Sequence, residues 1–213
     1  MIKGVFFDLD GTLITSMHSH YIGWKTVLLN HKINLKKIEF YLNEGTKLQN
    51  LIKQIFYKNN KQIDDFLIEK LIINKNKHFL NNYKIKFYPG VLGLIDYLSN
   101  KNIYLSIVTA GTKKRVNKSL PKSFLKKFNN IITGDDYNRG KPFPDPYLKA
   151  LSLSKLKANE CFVYENAPLG IASAKKAKIK TVAVTNTLKK DYFSKSDYVV
   201  NSANDFKKII INY

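Results

Sequence analysis

The chain has 213 residues, of which 44% are hydrophobic, and this length fits one α/β domain with room for a small inserted domain. No stretch approaches the roughly 18 apolar residues that a membrane-spanning helix needs, so we expect no membrane insertion. The formal charge of +20 would suit nucleic-acid binding, but the lysines are spread along the whole chain, and we interpret them as solvated surface groups that also attract small anionic substrates.

The first predicted element is a strand at residues 5–7 that ends in two carboxylates. This apolar run leads into Asp8 and Asp10, and Gly11 then allows a sharp turn. Residues i and i+2 of a strand project to the same side, so the two carboxylates are expected to lie close together. Such a pair repels unless a cation neutralises it, which predicts a bound Mg²⁺ with oxygen ligands. The same charges argue against a signal peptide.

Residues 15–84 show helical periodicity and no strand pattern. Apolar and aromatic side chains recur at i, i+3, i+4 and i+7. The sets are Trp24, Val27, Leu28 and His31, then Leu48, Leu51, Ile52 and Ile55, and then Phe66, Leu67, Leu71 and Ile72 with a continuation to Phe79. The sequence therefore predicts a helical insertion of roughly 70 residues directly after the two carboxylates.

The remainder of the chain alternates helices with short apolar strands. The predicted strands are 103–109, 131–132, 161–164, 181–184 and 198–200, and the predicted helices are 91–100, one within 112–127, 146–154 and 168–178. This alternation is typical of a parallel sheet with helices on both faces, an α/β fold. Cys161 lies within an apolar strand pattern, and a single cysteine forms no internal disulfide, so we expect a reducing, cytoplasmic location.

Polar groups follow several of these strands. Ligands of parallel sheets bind at the carboxyl ends of the strands, so these groups are candidates for one site with Asp8. Thr109, Ala110 and Gly111 offer a hydroxyl and an open backbone, Lys141 lies in a rigid loop between a glycine and prolines, and Glu165 and Asn166 supply oxygen ligands.

The order of these motifs is similar to that of the haloacid dehalogenase superfamily. The strings are Asp-Leu-Asp-Gly-Thr at 8–12, Thr109, Gly-Lys-Pro-Phe-Pro-Asp-Pro at 140–146 and Glu-Asn-Ala-Pro-Leu-Gly-Ile at 165–171. The resemblance covers essentially the whole chain, and the insertion resembles the helical cap of the subfamily that contains phosphoglycolate phosphatases and β-phosphoglucomutases. It implies a Rossmann-like core formed by residues 1–14 and 85–213, with a cap formed by residues 15–84.

The resemblance also implies roles for the candidate residues. Asp8 would be the nucleophile that forms an aspartyl-phosphate, and Asp10 would be the acid and base. The other implied roles are Thr109 and Lys141 as phosphoryl-binding catalytic groups; Asp8, Asp10, Glu165 and Asn166 around Mg²⁺; and Gly11, Ala110, Gly111, His20 and Lys47 in substrate binding. Many relatives carry two acids where this chain has Glu165 and Asn166. We therefore expect activity with weaker metal binding, and which of the two side chains ligates the metal stays open.

Two activities of one site follow from the resemblance. The first is a magnesium-dependent phosphatase that hydrolyses a small phosphorylated metabolite, and the alternative is a β-phosphoglucomutase-like sugar-phosphate mutase that would use His20, Lys47 and Lys75. A non-enzymatic nucleic-acid-binding role would leave the set of Asp8, Asp10, Thr109 and Lys141 unexplained. The sequence fixes neither the substrate nor the oligomeric state.

Overall fold

A parallel sheet forms the centre of the computed structural model, which describes residues 2–213. Its strands are β1 (Gly4–Phe7), β2 (Tyr104–Val108), β3 (Asn130–Ile132), β4 (Cys161–Glu165), β5 (Lys180–Val184) and β6 (Tyr198–Val200). They lie in the order β3-β2-β1-β4-β5-β6, and every neighbouring pair is parallel. Each predicted strand is confirmed, with its ends within one residue of those observed.

The register of the central strands brings the candidate site residues to one edge. Phe7, the last residue of β1, pairs with Ile107 of β2 and Tyr164 of β4. All four residues of β1 are buried, as expected for a strand covered on both faces. The residues that follow β1 and β2, and the end of β4, therefore converge at the carboxyl edge of the sheet.

Helices cover both faces of the sheet after the first strand crossover. They are α5 (Val91–Asn100), α6 (Lys113–Ser119), α7 (Lys122–Leu125), α8 (Asp145–Ser154), α9 (Pro168–Lys176) and α10 (Ala203–Ile211), with 3₁₀ turns at Ala158–Glu160 and Lys190–Phe193. The single helix expected within 112–127 is two short ones, because Pro121 holds Leu120 in an extended conformation that ends α6. The sequence prediction also omitted α10, which begins at the Ser202 cap.

Four helices lie between β1 and β2: α1 (Met17–Leu29), α2 (Lys37–Leu42), α3 (Leu48–Lys58) and α4 (Asp65–Asn82). They share a buried apolar cluster that includes Trp24 and Ile52 and extends to Ile171 of α9. The expectation for His31 was wrong, because α1 ends two residues earlier. Phe66 was expected on the packed face of its helix but is 77% exposed. None of the helices in the described part of the chain is long and apolar enough to span a membrane.

Candidate active site

The site begins where β1 ends in Asp8. Gly11, at φ +87°, turns the chain after Asp10, in the left-handed region where glycine is unstrained. A Cβ at Gly11 would lie 2.3 Å from Nδ2 of Asn166, so this glycine also lets the loop approach the end of β4. Gly11 therefore shapes the backbone beside the cavity rather than lining it.

Lys141 joins two carboxylates at the carboxyl edge. Its Nζ lies 2.7 Å from Asp8 Oδ1 and 2.7 Å from Glu165 Oε1, and all three side chains are buried. Burial opposes the charge of Lys141, but the two carboxylates outweigh it and hold the pKa of this ammonium well above its usual range. Lys141 is therefore a fixed positive charge beside Asp8.

The second oxygen of Asp8 is free. Oδ2 is buried and has no hydrogen-bond partner among residues 2–213, whereas Oδ1 accepts from Lys141. Burial raises the pKa of Asp8 to about 7, Lys141 opposes this shift, and the Glu165 carboxylate adds to it. Buried polar atoms in folded proteins are almost always paired, so this oxygen points to a ligand.

The carboxylate of Asp10, in contrast, is crowded by donors. Oδ1 accepts from Ser16 Oγ at 2.6 Å, His20 Nε2 at 2.9 Å and Arg115 Nη1 at 3.1 Å. Oδ2 accepts from the second Arg115 nitrogen and from Thr109 Oγ1 at 3.3 Å. Burial alone would raise the pKa of Asp10, but Arg115 and then His20 hold it well below its usual range.

His20 accepts a hydrogen bond from a lysine of α4. Lys75 Nζ lies 2.8 Å from His20 Nδ1, and the ring stacks on Phe79 with centroids 3.9 Å apart. Because Lys75 donates to Nδ1, the imidazole is assigned as the Nε2–H tautomer that donates to Asp10. Burial and then Lys75 lower the pKa of His20 to about 3, and burial followed by Arg115 lowers that of Lys75 to about 7.

Glu165 and Asn166 have different surroundings. Glu165 accepts from Lys141 with Oε1 and from the Ala167 backbone N–H with Oε2 at 2.7 Å. Asn166 accepts from Thr12 at 2.7 Å and donates to Glu44 Oε2 at 2.8 Å. Asn166 therefore links the end of β4 to the loop after α2.

The residues present fit a divalent cation with oxygen ligands. No group of three or more His, Cys, Asp or Glu residues in the described part of the chain is arranged to hold a metal. However, the buried carboxylates of Asp8 and Glu165 share a single ammonium group, that of Lys141. Glu44 adds a third carboxyl group, and burial and then the charges of Asp8 and Glu165 raise its pKa well above its usual range. Hard divalent cations prefer such sites.

A cavity of about 50 Å³ brings most of the predicted residues together. Asp8, Asp10, His20, Thr109, Ala110 and Gly111 line it. Lys141 and Glu165 lie behind Asp8, whereas Lys47 lines a neighbouring cavity with Ala110 and Thr112. The structure therefore does not bring Lys47 to the two aspartates.

Two charged residues of this cavity were missed in the sequence: Glu44 and Arg115. Glu44 carries no motif, and only the fold brings it to Asn166. Arg115 did leave a signal, because arginine occurs at only two of the 36 basic positions, 115 and 139. An arginine six residues after Thr109 in a chain that otherwise uses lysine is a candidate for a specific contact.

Residues 5–184 match the family described as haloacid dehalogenase-like hydrolase. The chain is 30% identical to the pyrophosphatase PpaX of Bacillus mycoides, covering 98% of this chain and 97% of that protein. It is 25% identical to the validoxylamine A 7'-phosphate phosphatase of Streptomyces hygroscopicus subsp. limoneus, covering 97% of each. Its fold is similar to that of β-phosphoglucomutase from Clostridium difficile, with a TM-score of 0.86 at 21% identity over 100% of this chain and 96% of that one.

Proposed function

This chain belongs to the haloacid dehalogenase-like hydrolase family, and from that premise we propose that it is a magnesium-dependent phosphatase acting on a small phosphorylated metabolite. Of the two relatives described above, one is named a pyrophosphatase and the other a phosphatase of validoxylamine A 7'-phosphate. In this proposal residues 15–84 act as a cap over a core formed by residues 1–14 and 85–213, and the protein works in the cytoplasm.

The observation that carries the proposal is the asymmetry of the Asp8 carboxylate. One oxygen is neutralised by Lys141, and the other is buried without a partner in residues 2–213. A carboxylate oriented in this way presents one oxygen to an incoming electrophile while its charge is balanced on the other side. An aspartate that only ended a strand would have both oxygens solvated or paired.

The reaction would proceed in two steps. Asp8 Oδ2 attacks phosphorus, a bond forms between this oxygen and phosphorus, and the bond from phosphorus to the ester oxygen breaks. Asp10 gives a proton to the leaving alcohol. In the second step, water attacks the same phosphorus and gives its proton to Asp10. The bond from Asp8 to phosphorus breaks, and inorganic phosphate leaves.

The remaining groups stabilise charge on the phosphoryl oxygens. Lys141 supplies a fixed positive charge, and Thr109, whose hydroxyl contacts Asp10, lines the cavity. A magnesium ion would be held by Asp8, by Asp10 through its backbone carbonyl as in the family, and by Glu165 or Asn166, and when bound it would neutralise the phosphoryl charge. Of these last two, Glu165 is engaged by Lys141, and Asn166 keeps a neutral side-chain carbonyl oxygen whose one donor within residues 2–213 is Thr12.

The experiment is phosphate release from a panel of phosphorylated sugars, nucleotides and small acids, with and without magnesium. Release that requires both magnesium and Asp8 would support the proposal. The matched control is Asp191→Asn, which removes an exposed carboxylate of a 3₁₀ turn and should leave the rate unchanged. Equal release by wild type and Asp8→Asn would contradict the proposal.

A sugar-phosphate mutase is the second candidate, favoured by the buried chain from Lys75 through His20 to Asp10. These contacts give α1 and α4 control over the proposed acid and base. A mutase must protect the phosphorylated aspartate from water, and such control from the helical insertion would serve that purpose. Isomerisation of a sugar phosphate that survives substitution of His20, Lys47 and Lys75 would remove the basis for this alternative.

A further inference from the structure

Asp10 is saturated with hydrogen bonds in this structure. A carboxylate offers about four lone-pair positions. Asp10 accepts five contacts, from Ser16, His20, Thr109 and both terminal nitrogens of Arg115. No position is left for the oxygen of a leaving group or for a water. A donor must therefore move before Asp10 can exchange a proton with substrate.

Arg115 is the donor whose release an anion would favour. It makes two of the five contacts through a bidentate arrangement, and its guanidinium brings a full positive charge to the carboxylate. Its guanidinium lies across Gly111, where a Cβ would be 1.8 Å from Nη2. A guanidinium exchanges one bidentate anion for another without loss of geometry, because carboxylate and phosphate oxygens match the same fork.

A second cleft lies on the other side of Arg115. It is formed between α4 and α6, has a volume of about 520 Å³, and shares Arg115 and Asn76 with the cavity that contains Asp8. Three further cations line it: Lys77, Lys114 and Lys118. The lining contains no acidic residue, and these lysines have no carboxylate within 4.0 Å in residues 2–213.

Asn76 marks the junction of the two spaces. Its side-chain oxygen is buried and has no hydrogen-bond partner in the part of the chain that the structure describes. A ligand that extends from the Asp8 cavity into the cleft would pass this amide, which can pair with a hydroxyl of the ligand. The positive cleft, the free amide and the movable guanidinium therefore lie along one path.

We propose that the cleft between α4 and α6 is a second anion-binding subsite and that Arg115 determines specificity for phosphate esters with a second anionic group. The inference rests on the proposed phosphatase function and names its substrate class. The second anion draws Arg115 from Asp10 and frees the carboxylate for proton transfer. A monophosphate without such a group leaves Arg115 on Asp10, so less of the enzyme is competent.

The first test compares hexose bisphosphates with the matching hexose monophosphates. Wild type is expected to favour the bisphosphate in kcat/KM by about 10-fold or more. Arg115→Gln should remove this preference, and Arg115→Lys, which keeps the charge, should restore part of it. Absence of a preference in wild type, or an equal loss on both substrates in Arg115→Gln, would overturn the proposal.

A second comparison measures the contribution of the cleft lysines to binding separately from that of Arg115. The double variant Lys114→Gln/Lys118→Gln should raise KM for the bisphosphate several-fold, the effect expected on removing two solvent-exposed charge pairs. The matched control is Lys149→Gln on the exposed face of α8, outside both cavities, and no change is expected there. An unchanged KM in the double variant would show that the cleft does not bind the second anion.

Binding to the Asp8→Asn protein keeps the two proposals distinguishable. Calorimetric affinities for the bisphosphate and the monophosphate need no turnover. About 10-fold tighter binding of the bisphosphate, lost in Asp8→Asn/Arg115→Gln, would support the subsite even if wild type hydrolysed neither compound and the phosphatase proposal failed. Equal affinities would overturn the subsite even if the phosphatase proposal succeeded.

Discussion

At the scale of single residues, the fold places Lys75 where burial lowers the pKa of its ammonium group. It is buried on α4 against the rings of Trp24 and Phe79, it donates to His20, and its pKa falls from 10.5 to about 7. Burial is the main cause of this shift. A lysine that loses its proton near neutral pH makes the stability of the protein depend on pH.

We expect the free energy of unfolding to rise with pH in wild type relative to Lys75→Met. Between pH 7 and 10.5 the unfolded chain binds a proton at Lys75 that the native state has lost, so increasing pH favours the native state. The difference between the two proteins should grow with a slope that approaches about 1.4 kcal/mol per pH unit. Denaturant unfolding across this range measures it, and parallel curves for the two proteins would show that Lys75 is charged in the native state.

The sequence indicated those site residues that have a local signal. Asp8, Asp10, Thr109, Lys141 and Glu165 each follow or end a strand, or lie in a loop stiffened by proline, so their convergence follows from the topology of a parallel sheet. The contacts of Asp10 could not be predicted in this way, because Arg115 reaches it across a turn of α6 and His20 from a separate helix. Only tertiary packing brings such groups together.

At the scale of elements, the loop between α2 and α3 is joined to the end of β4. Glu44 accepts a hydrogen bond from Asn166, and Gly45, at φ +87°, packs against Lys141. A carboxylate at position 166 would have no N–H to donate to Glu44, and it would add a further negative charge beside a carboxyl group whose pKa nearby carboxylates already raise. The amide at this position, which we expect to weaken metal binding, is therefore also what allows the loop to approach.

Asn166→Asp should destabilise the protein by about 1–3 kcal/mol, the cost of an unpaired buried polar group. The exchange Glu44→Gln/Asn166→Asp places amide and carboxylate in the reverse order, so most of this loss should be recovered. Unfolding free energies of the two single variants and the double variant give the coupling. Additive effects would contradict a direct contact. Magnesium titration of the same proteins tests the separate prediction that Asn166→Asp tightens metal binding.

Gly45→Ala tests how closely this loop must approach Lys141. A Cβ there would lie 2.6 Å from Cδ of Lys141, which cannot yield while it bridges Asp8 and Glu165. We expect kcat/KM to fall by on the order of 10-fold or more through displacement of the site. The matched control is Gly93→Ala on α5, where a Cβ meets no atom within 4 Å and helix stability should rise by about 0.5–1 kcal/mol. Full activity in Gly45→Ala would show that the loop can move away from Lys141 without a loss of catalysis.

Helices and strands were predicted correctly where the hydrophobic pattern of the sequence was long or was flanked by turn residues. The strands are short apolar runs with clear ends, and α5 follows a Pro-Gly turn. The six-residue helix α2 is too short for a recognisable period. The division of α6 from α7 depends on the constraint that Pro121 places on the residue before it, which outweighs the helical periodicity on either side.

At the scale of the whole molecule, the strand order places the site at the middle of the sheet. β1 lies between β2 and β4, so Asp8 has Thr109 on one side and Glu165 on the other. The helical insertion begins directly after this strand and returns α1 and α4 over the same edge. The net charge of +20 surrounds this arrangement with a field that attracts anions, which suits a phosphorylated substrate.

The most direct measurement is to stop a single turnover with acid and to locate phosphate on the protein by peptide mass spectrometry, using the substrate that the panel identifies. The account predicts a transient phosphoryl group on the peptide that contains Asp8, absent from Asp8→Asn and present in the Asp191→Asn control. Turnover without phosphorylated protein, or a phosphoryl group at any other residue, would contradict the assignment of Asp8 as the nucleophile.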